Sequence, residues 1–207
     1  MKSKGNYKLN YSFLLLIAFS LISGTFKEVL IFILSLFVHE TGHILFALIF
    51  RVKINKLNIT SYGISSKFAM DNLKLLPKIL IYLSGILFNA LFILLIDNLN
   101  LFIEYKTFII FCNKLLIVFN LLLIYPLDGF NAFYSLLSHC LEDKYQNKAF
   151  KLSITVSLFL LTILFIIAIY YQSLALIIIV IVLGYKNIVK IKRRDEEILL
   201  RIIALLT

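Results

Sequence analysis

Residues 35–50, which read SLFVHETGHILFALIF, decide how this chain is interpreted. Apolar side chains run through the stretch as they do in a lipid-buried helix, yet His39, Glu40 and His43 lie in its middle. Ionisable groups inside hydrocarbon are costly, and where they occur they usually mark a functional site. The stretch therefore predicts a membrane helix that carries chemistry.

The composition of the whole chain agrees with a membrane protein. Hydrophobic residues make up 61% of the 207 residues and charged residues 15%, which is more apolar than a soluble domain of this length. The net charge of +10 comes from basic residues that lie between apolar runs rather than in one stripe. We therefore expect these charges to orient the protein in a bilayer, and we expect no nucleic-acid partner. The two cysteines, Cys112 and Cys140, predict neither a disulfide framework nor a cysteine-rich metal site.

Runs of about 20 apolar residues, the length that crosses a bilayer as a helix, predict an all-α polytopic protein. The first run is interpreted as a retained span rather than a cleaved signal peptide. The last two spans come from one long run, which we divide at Tyr170–Ser173. The six predicted transmembrane helices are 9–26, 29–50, 77–97, 106–126, 152–170 and 173–189.

The distribution of basic residues predicts the orientation of these spans. With both termini in the cytoplasm, the cytoplasmic segments and their flanks hold 18 of the 21 Lys and Arg residues, as the positive-inside rule requires. The exceptions are Lys27, Lys106 and Lys114. We therefore predict a multi-pass membrane protein with both termini in the cytoplasm.

Two segments outside the spans have a character of their own. In the cytoplasmic loop between spans two and three, residues 54–68 (INKLNITSYGISSKF) alternate apolar and polar positions in part. They predict either a short β-hairpin at 56–68 or a disordered basic loop. Residues 1–189 are expected to form one six-span domain, and 190–207 a short amphipathic cytoplasmic tail that lies on the membrane surface.

The sequence HETGH at 39–43 is an HExxH motif. Helical positions i and i+4 project from one face, so His39 and His43 can bind the same zinc ion, and Glu40 can take a proton from metal-bound water. The alternative is a pair of histidines that serve only packing. The cost of burying them in hydrocarbon counts against that interpretation.

A catalytic zinc site usually has three protein ligands. The orientation of span two places His43 in the cytoplasmic half of the membrane, whereas Asp97 is expected at the opposite face. Asp128 is predicted to end span four on the cytoplasmic side, directly after the helix-breaking Pro126, and it is our predicted third ligand for one Zn²⁺ per chain. Solvation in a polar loop explains the remaining candidates, which are His139, Glu142 and Asp143.

HETGH on one span, with NLLLIYPLDG (120–129) on a later one, resembles the site-2 protease family of intramembrane metalloproteases. The family pattern Asn-x-x-Pro-x-x-x-x-Asp-Gly is met at Asn120, Asp128 and Gly129, with Leu123 in place of the first proline. The resemblance implies that His39, His43 and Asp128 are zinc ligands and that Glu40 is catalytic.

The same resemblance singles out two asparagines. The stretch GILFN (85–89) is similar to a weaker family pattern, Gly-Pro-x-x-Asn, with Ile86 in place of proline. Asn89 and Asn120 are therefore candidates for contacting substrate or supporting the site. For each of them, a hydrogen bond between helices is the alternative.

Six short-looped spans without an inserted PDZ domain are similar to the stage IV sporulation protein FB branch of the family, although the C-terminal CBS domain that many of those relatives carry is not expected here. This resemblance implies regulated intramembrane proteolysis of a sporulation sigma-factor precursor, in the bacterial cell membrane or the membrane around a forespore. It also implies a membrane-associated protein substrate and membrane-protein inhibitors or regulators as partners.

The predicted function is an intramembrane zinc metalloendopeptidase. A metal-ion transporter and a catalytically inactive membrane scaffold are the alternatives. The outer halves of spans one, two, five and six are almost wholly apolar, which disfavours a transport path, and the retained Glu40 gives no support to an inactive scaffold.

Overall fold

The computed structural model describes residues 7–9, 21–52, 54–60, 63–68, 70, 73–98, 104–141 and 146–206. These residues form six helices and three strands and divide into two compact units, residues 1–121 and 122–207. Most of the first predicted span, 9–26, lies outside the described residues.

The first unit contains three helices that contact one another: α1 (Phe26–Ile49), α2 (Leu75–Asn98) and α3 (Lys106–Leu121). Helix α1 ends where Arg51 adopts a left-handed backbone, with φ of 56°. The Arg51 N–H donates to the Leu48 carbonyl at 3.0 Å, and the Val52 N–H donates to the Ala47 carbonyl at 2.8 Å. These two bonds satisfy carbonyls that a helix terminus would otherwise leave open.

The first unit also contains a three-stranded sheet of β1 (Tyr7–Leu9), β2 (Ile54–Thr60) and β3 (Gly63–Phe68). Strand β2 lies in the centre, parallel to β1 and antiparallel to β3. Strands β2 and β3 include most of the segment for which the sequence predicts a hairpin or a disordered loop. Strand β3 contacts α1.

The second unit contains α4 (Asp128–Cys140), α5 (Gln146–Tyr170) and α6 (Leu174–Leu206). Helix α5 packs against both others. It ends at Tyr170. Gln172 follows with a φ of 50°, and the Ser173 N–H donates to the Ala168 carbonyl at 3.0 Å. The Ser173 hydroxyl then accepts from the Leu176 N–H at the start of α6, at 3.4 Å. The predicted division of the long apolar run at these residues is confirmed.

The prediction for span four is wrong at its end. Helix α3 ends at Leu121, whereas the sequence predicted a span to residue 126, and Asp128 begins a helix instead of ending one. Pro126 has no N–H to donate and disfavours a helical backbone at Tyr125. The Tyr125 N–H and carbonyl bond to side chains instead.

The polar loop predicted after span four is also wrong in part, because α4 occupies 128–140. Phe130 and Tyr134 are one turn apart on α4 with ring centroids 6.3 Å apart, and both pack with Phe150 of α5. This apolar face supports a helix where polar residues had suggested a loop.

Among the described residues, four helices are long and apolar enough to cross a membrane: α1, α2, residues Asn147–Tyr170 of α5 and Leu174–Glu197 of α6. Helix α3, with 16 residues, is shorter than a bilayer core requires. The total of six spans therefore remains a prediction. Helix α6 continues unbroken through residue 190, where the sequence placed the start of a separate tail.

Candidate metal centre

The two histidines of the HExxH motif lie one turn apart on α1 and face the same way. Only 5% of His39 and 6% of His43 is exposed. Their Nε2 atoms lie 3.1 Å apart, and the rings meet edge to face. Two nitrogens bound to one tetrahedral zinc at about 2.0–2.1 Å are themselves about 3.3 Å apart, so the pair fits a shared metal ion.

Helix α2 fixes the orientation of the His43 ring. His43 Nδ1 lies 2.7 Å from the Ile81 carbonyl oxygen, with the Ser84 hydroxyl 3.4 Å away. A carbonyl oxygen can only accept, so Nδ1 carries the proton and Nε2 keeps its lone pair. A hydrogen bond from the ring nitrogen that does not bind the metal holds a histidine in the tautomer that binds metal.

Gly85 of α2 provides the space beside the two rings. A Cβ at this position would lie 2.6 Å from His39 Cε1 and 2.6 Å from His43 Nε2. Carbon atoms essentially never approach so closely. The missing side chain therefore leaves room at the nitrogens that would bind the ion.

The backbones of α1 and α2 touch at Gly42, between the two histidines. A Cβ on Gly42 would lie 2.5 Å from the Ser84 carbonyl oxygen, and small residues allow membrane helices to approach to this degree. One turn before His39, Ser35 accepts a hydrogen bond from Asn113 of α3 at 3.0 Å. Both neighbouring helices thus hold the histidine-bearing face of α1.

His39 and His43 each offer one ring nitrogen to a metal ion, and Asp128, the predicted third ligand, is the first residue of α4 in the second unit. Two imidazoles and a carboxylate form a common donor set for catalytic zinc. The half-buried Glu40 follows His39 on α1. The two histidines are therefore close enough to hold one metal ion, with a candidate base on the same helix.

The two asparagines differ in their surroundings. Asn89 lies one turn after Gly85 on α2 and is fully buried, and neither of its amide atoms has a hydrogen-bond partner among the described residues. Asn120 is half-buried and donates to the Leu116 carbonyl of its own helix at 3.0 Å. The bond between helices that was the alternative for each is not found in the described part of the chain.

Two of the other acidic and histidine candidates lie among the described residues. Asp97, near the end of α2, pairs with Lys106 at 2.8 Å. His139 lies in the last turn of α4. Glu142 and Asp143 lie outside the described residues.

The support that α2 gives to the site was not predicted from the sequence. Neither the Ile81 carbonyl, nor Ser84, nor the space at Gly85 was predicted. Small residues within apolar helices indicate close packing between membrane helices, so Gly42, Ser84 and Gly85 carried a usable signal. These small residues did not indicate which helix would pack against them.

No family model and no curated protein matches the chain. Among solved structures, the chain is similar to the Site-2 Protease from Methanocaldococcus jannaschii, with 20% sequence identity and a TM-score of 0.63. The similarity covers 90% of this chain and 91% of that chain. At this identity the likeness shows a shared fold. Together with the four long apolar helices, it supports an integral membrane protein.

Proposed function

We propose that the chain is an intramembrane metalloendopeptidase that holds one Zn²⁺ and cleaves a membrane-associated protein. The observation that carries the proposal is the buried imidazole pair on an apolar helix, with Nε2 atoms 3.1 Å apart and Glu40 beside them. The fold shared with a solved site-2 protease supports it.

In this proposal His39, His43 and Asp128 hold the ion. A bound Zn²⁺ supplies Lewis acidity, which polarises a carbonyl and acidifies water. Glu40 accepts a proton from the attacking water and passes it to the leaving amine. Asn89 and Asn120 contact the substrate or support the site.

The decisive experiment compares two activities of the purified chain in proteoliposomes. Zinc-dependent cleavage of reconstituted single-span peptides, read by mass spectrometry, without zinc flux supports the protease. Flux without cleavage would favour a transporter. The absence of both activities would favour a scaffold.

Asp128→Asn should weaken metal binding by roughly 10-fold or more, because a neutral amide replaces an anionic ligand beside a divalent cation. Chelator competition in detergent measures the affinity. Full metal affinity and activity in this variant would transfer the third-ligand role to another residue, with Glu142 the first to test.

We propose that the sheet edge binds the substrate. A peptide must be extended before its backbone can be attacked, and an exposed sheet edge can pair with an extended peptide. Strand β2 is paired on both sides. A proline substitution in β2, such as Ile59→Pro, would therefore break the sheet itself and would not test an edge. Strand β3 is an edge of the described sheet and contacts α1, so it is the edge we assign to the substrate.

Ser65→Pro and Ser66→Pro test this edge as a pair. The direction of the N–H alternates along a strand, so one of the two positions must point away from β2. That variant should lose about 10-fold in cleavage, since a hydrogen bond contributes about 0.5–1.5 kcal/mol and proline also obstructs pairing. Wild-type cleavage rates in both variants would remove β3 from the proposal.

We further propose that the substrate is a sporulation sigma-factor precursor and that both termini are cytoplasmic. We also propose membrane-protein regulators and a place in the cell membrane or the forespore-surrounding membrane. Co-expression with candidate sigma-factor precursors tests the first of them. The expected result is a shortened precursor that disappears with Glu40→Gln.

A further inference from the structure

The non-helical stretch that leads into α4 is held by two buried side chains. The Tyr125 N–H donates to the Ser157 hydroxyl of α5 at 3.1 Å. The Tyr125 carbonyl accepts from the Asn187 amide of α6 at 3.0 Å. Ser157 and Asn187 are both fully buried, although neither belongs to any motif of the sequence analysis.

The two side chains also bond to each other. The Ser157 hydroxyl donates to Asn187 Oδ1 at 2.8 Å, and Asn187 Nδ2 makes a second bond to the Leu183 carbonyl at 2.9 Å. The serine thus donates and accepts once, and both amide hydrogens of the asparagine are used. Such a satisfied buried network favours one arrangement, because losing one member leaves another buried group unpaired.

Hydrogen bonds also fix the residues between Tyr125 and α4. The Leu127 N–H donates to the Ile124 carbonyl at 2.8 Å. Asn131 Nδ2 donates to the carbonyls of Pro126 and Leu127, each at 3.1 Å. Asp128 is the next residue and the first of α4, so the network holds the backbone only three residues before its carboxylate.

We infer that Ser157 and Asn187 are positioning residues for Asp128. They set the backbone at Tyr125, and through it the place from which the Asp128 carboxylate reaches a metal ion. The inference rests on the proposed function only in taking Asp128 as a metal ligand. Residues that orient a ligand typically contribute about 10- to 100-fold in metal affinity.

The test uses Ser157→Ala and Asn187→Leu, with Ser153→Ala as the matched control. Ser153 lies one turn before Ser157 on α5, is equally buried, and donates to the Ala149 carbonyl of its own helix at 2.9 Å. Two quantities are measured in detergent on the full chain: Zn²⁺ affinity by chelator competition, and hydrogen exchange of a peptide covering 122–131 without metal.

Ser157→Ala and Asn187→Leu should weaken Zn²⁺ binding by about 10-fold or more and speed exchange in 122–131. Ser153→Ala should change neither. The double variant should lose much less than the product of the two single losses, because both residues act through one network. If Asn187→Leu does not fold, Ser157→Ala, which removes a single oxygen, carries the test.

The outcomes separate this inference from the proposed function. Faster exchange in 122–131 with unchanged Zn²⁺ affinity would overturn the positioning role and leave the protease proposal intact. The wild-type chain could also bind zinc but cleave no peptide, while the variants lose zinc affinity as expected. That result would refute the protease and keep the positioning role. A wild-type chain that binds no zinc would overturn both.

Discussion

Glu40→Gln should abolish cleavage while leaving the metal bound. The amide nearly preserves the size of the side chain, and His39, His43 and Asp128 remain as the proposed ligands. What disappears is the proton acceptor, which is typically worth about 10²- to 10⁴-fold in rate. Cleavage of reconstituted single-span peptides and zinc content per chain measure the two effects separately.

Glu28→Gln is the matched control, because it makes the same change on the same helix at an exposed position in the first turn. It should cleave at the wild-type rate. If Glu40→Gln loses zinc, Glu40 is a ligand or supports one. If it cleaves normally, this HExxH motif does not perform the proposed chemistry.

Gly85→Ala should nearly eliminate metal binding. The new methyl group would lie 2.6 Å from His43 Nε2 and 2.7 Å from His39 Nε2, in the space where both lone pairs converge. Either α2 moves away or the imidazoles turn, and both changes separate the ligand atoms. We expect an affinity loss of about 100-fold, the upper end of what changes beside a metal ligand cost, measured by chelator competition.

Gly184→Ala of α6 is the control for this substitution. A Cβ at Gly184 meets no atom within 4 Å, and alanine is the better helix former. This variant should bind zinc like the wild type and unfold at an equal or higher temperature. Wild-type zinc affinity in Gly85→Ala would show that the ion does not bind between these two nitrogens.

The sequence was most informative where the chemistry is local. Two histidines four residues apart on a helix must share a face, so the geometry of His39 and His43 could be predicted without knowledge of any other helix. The break between α5 and α6 was also local, because Ser173 can cap the following helix.

Contacts between distant residues could not be predicted in this way. The bonds of Tyr125 to Ser157 and Asn187 span 32 and 62 residues, and no periodicity indicates which buried polar side chains will meet. They help to explain why α3 ends before Pro126. The same limit applies to Gly85, whose importance depends on the two imidazoles it faces.

The contact between α1 and α2 limits how a substrate of the proposed protease could enter. At Gly42 the two backbones are already so close that even a methyl group has no room, and His43 is tied to the Ile81 carbonyl across the same contact. Separating these helices would therefore break the bond that holds a metal ligand in its binding tautomer. The contact between α1 and α2 is thus closed, and in the proposed protease a peptide in the lipid must approach the histidines from another side.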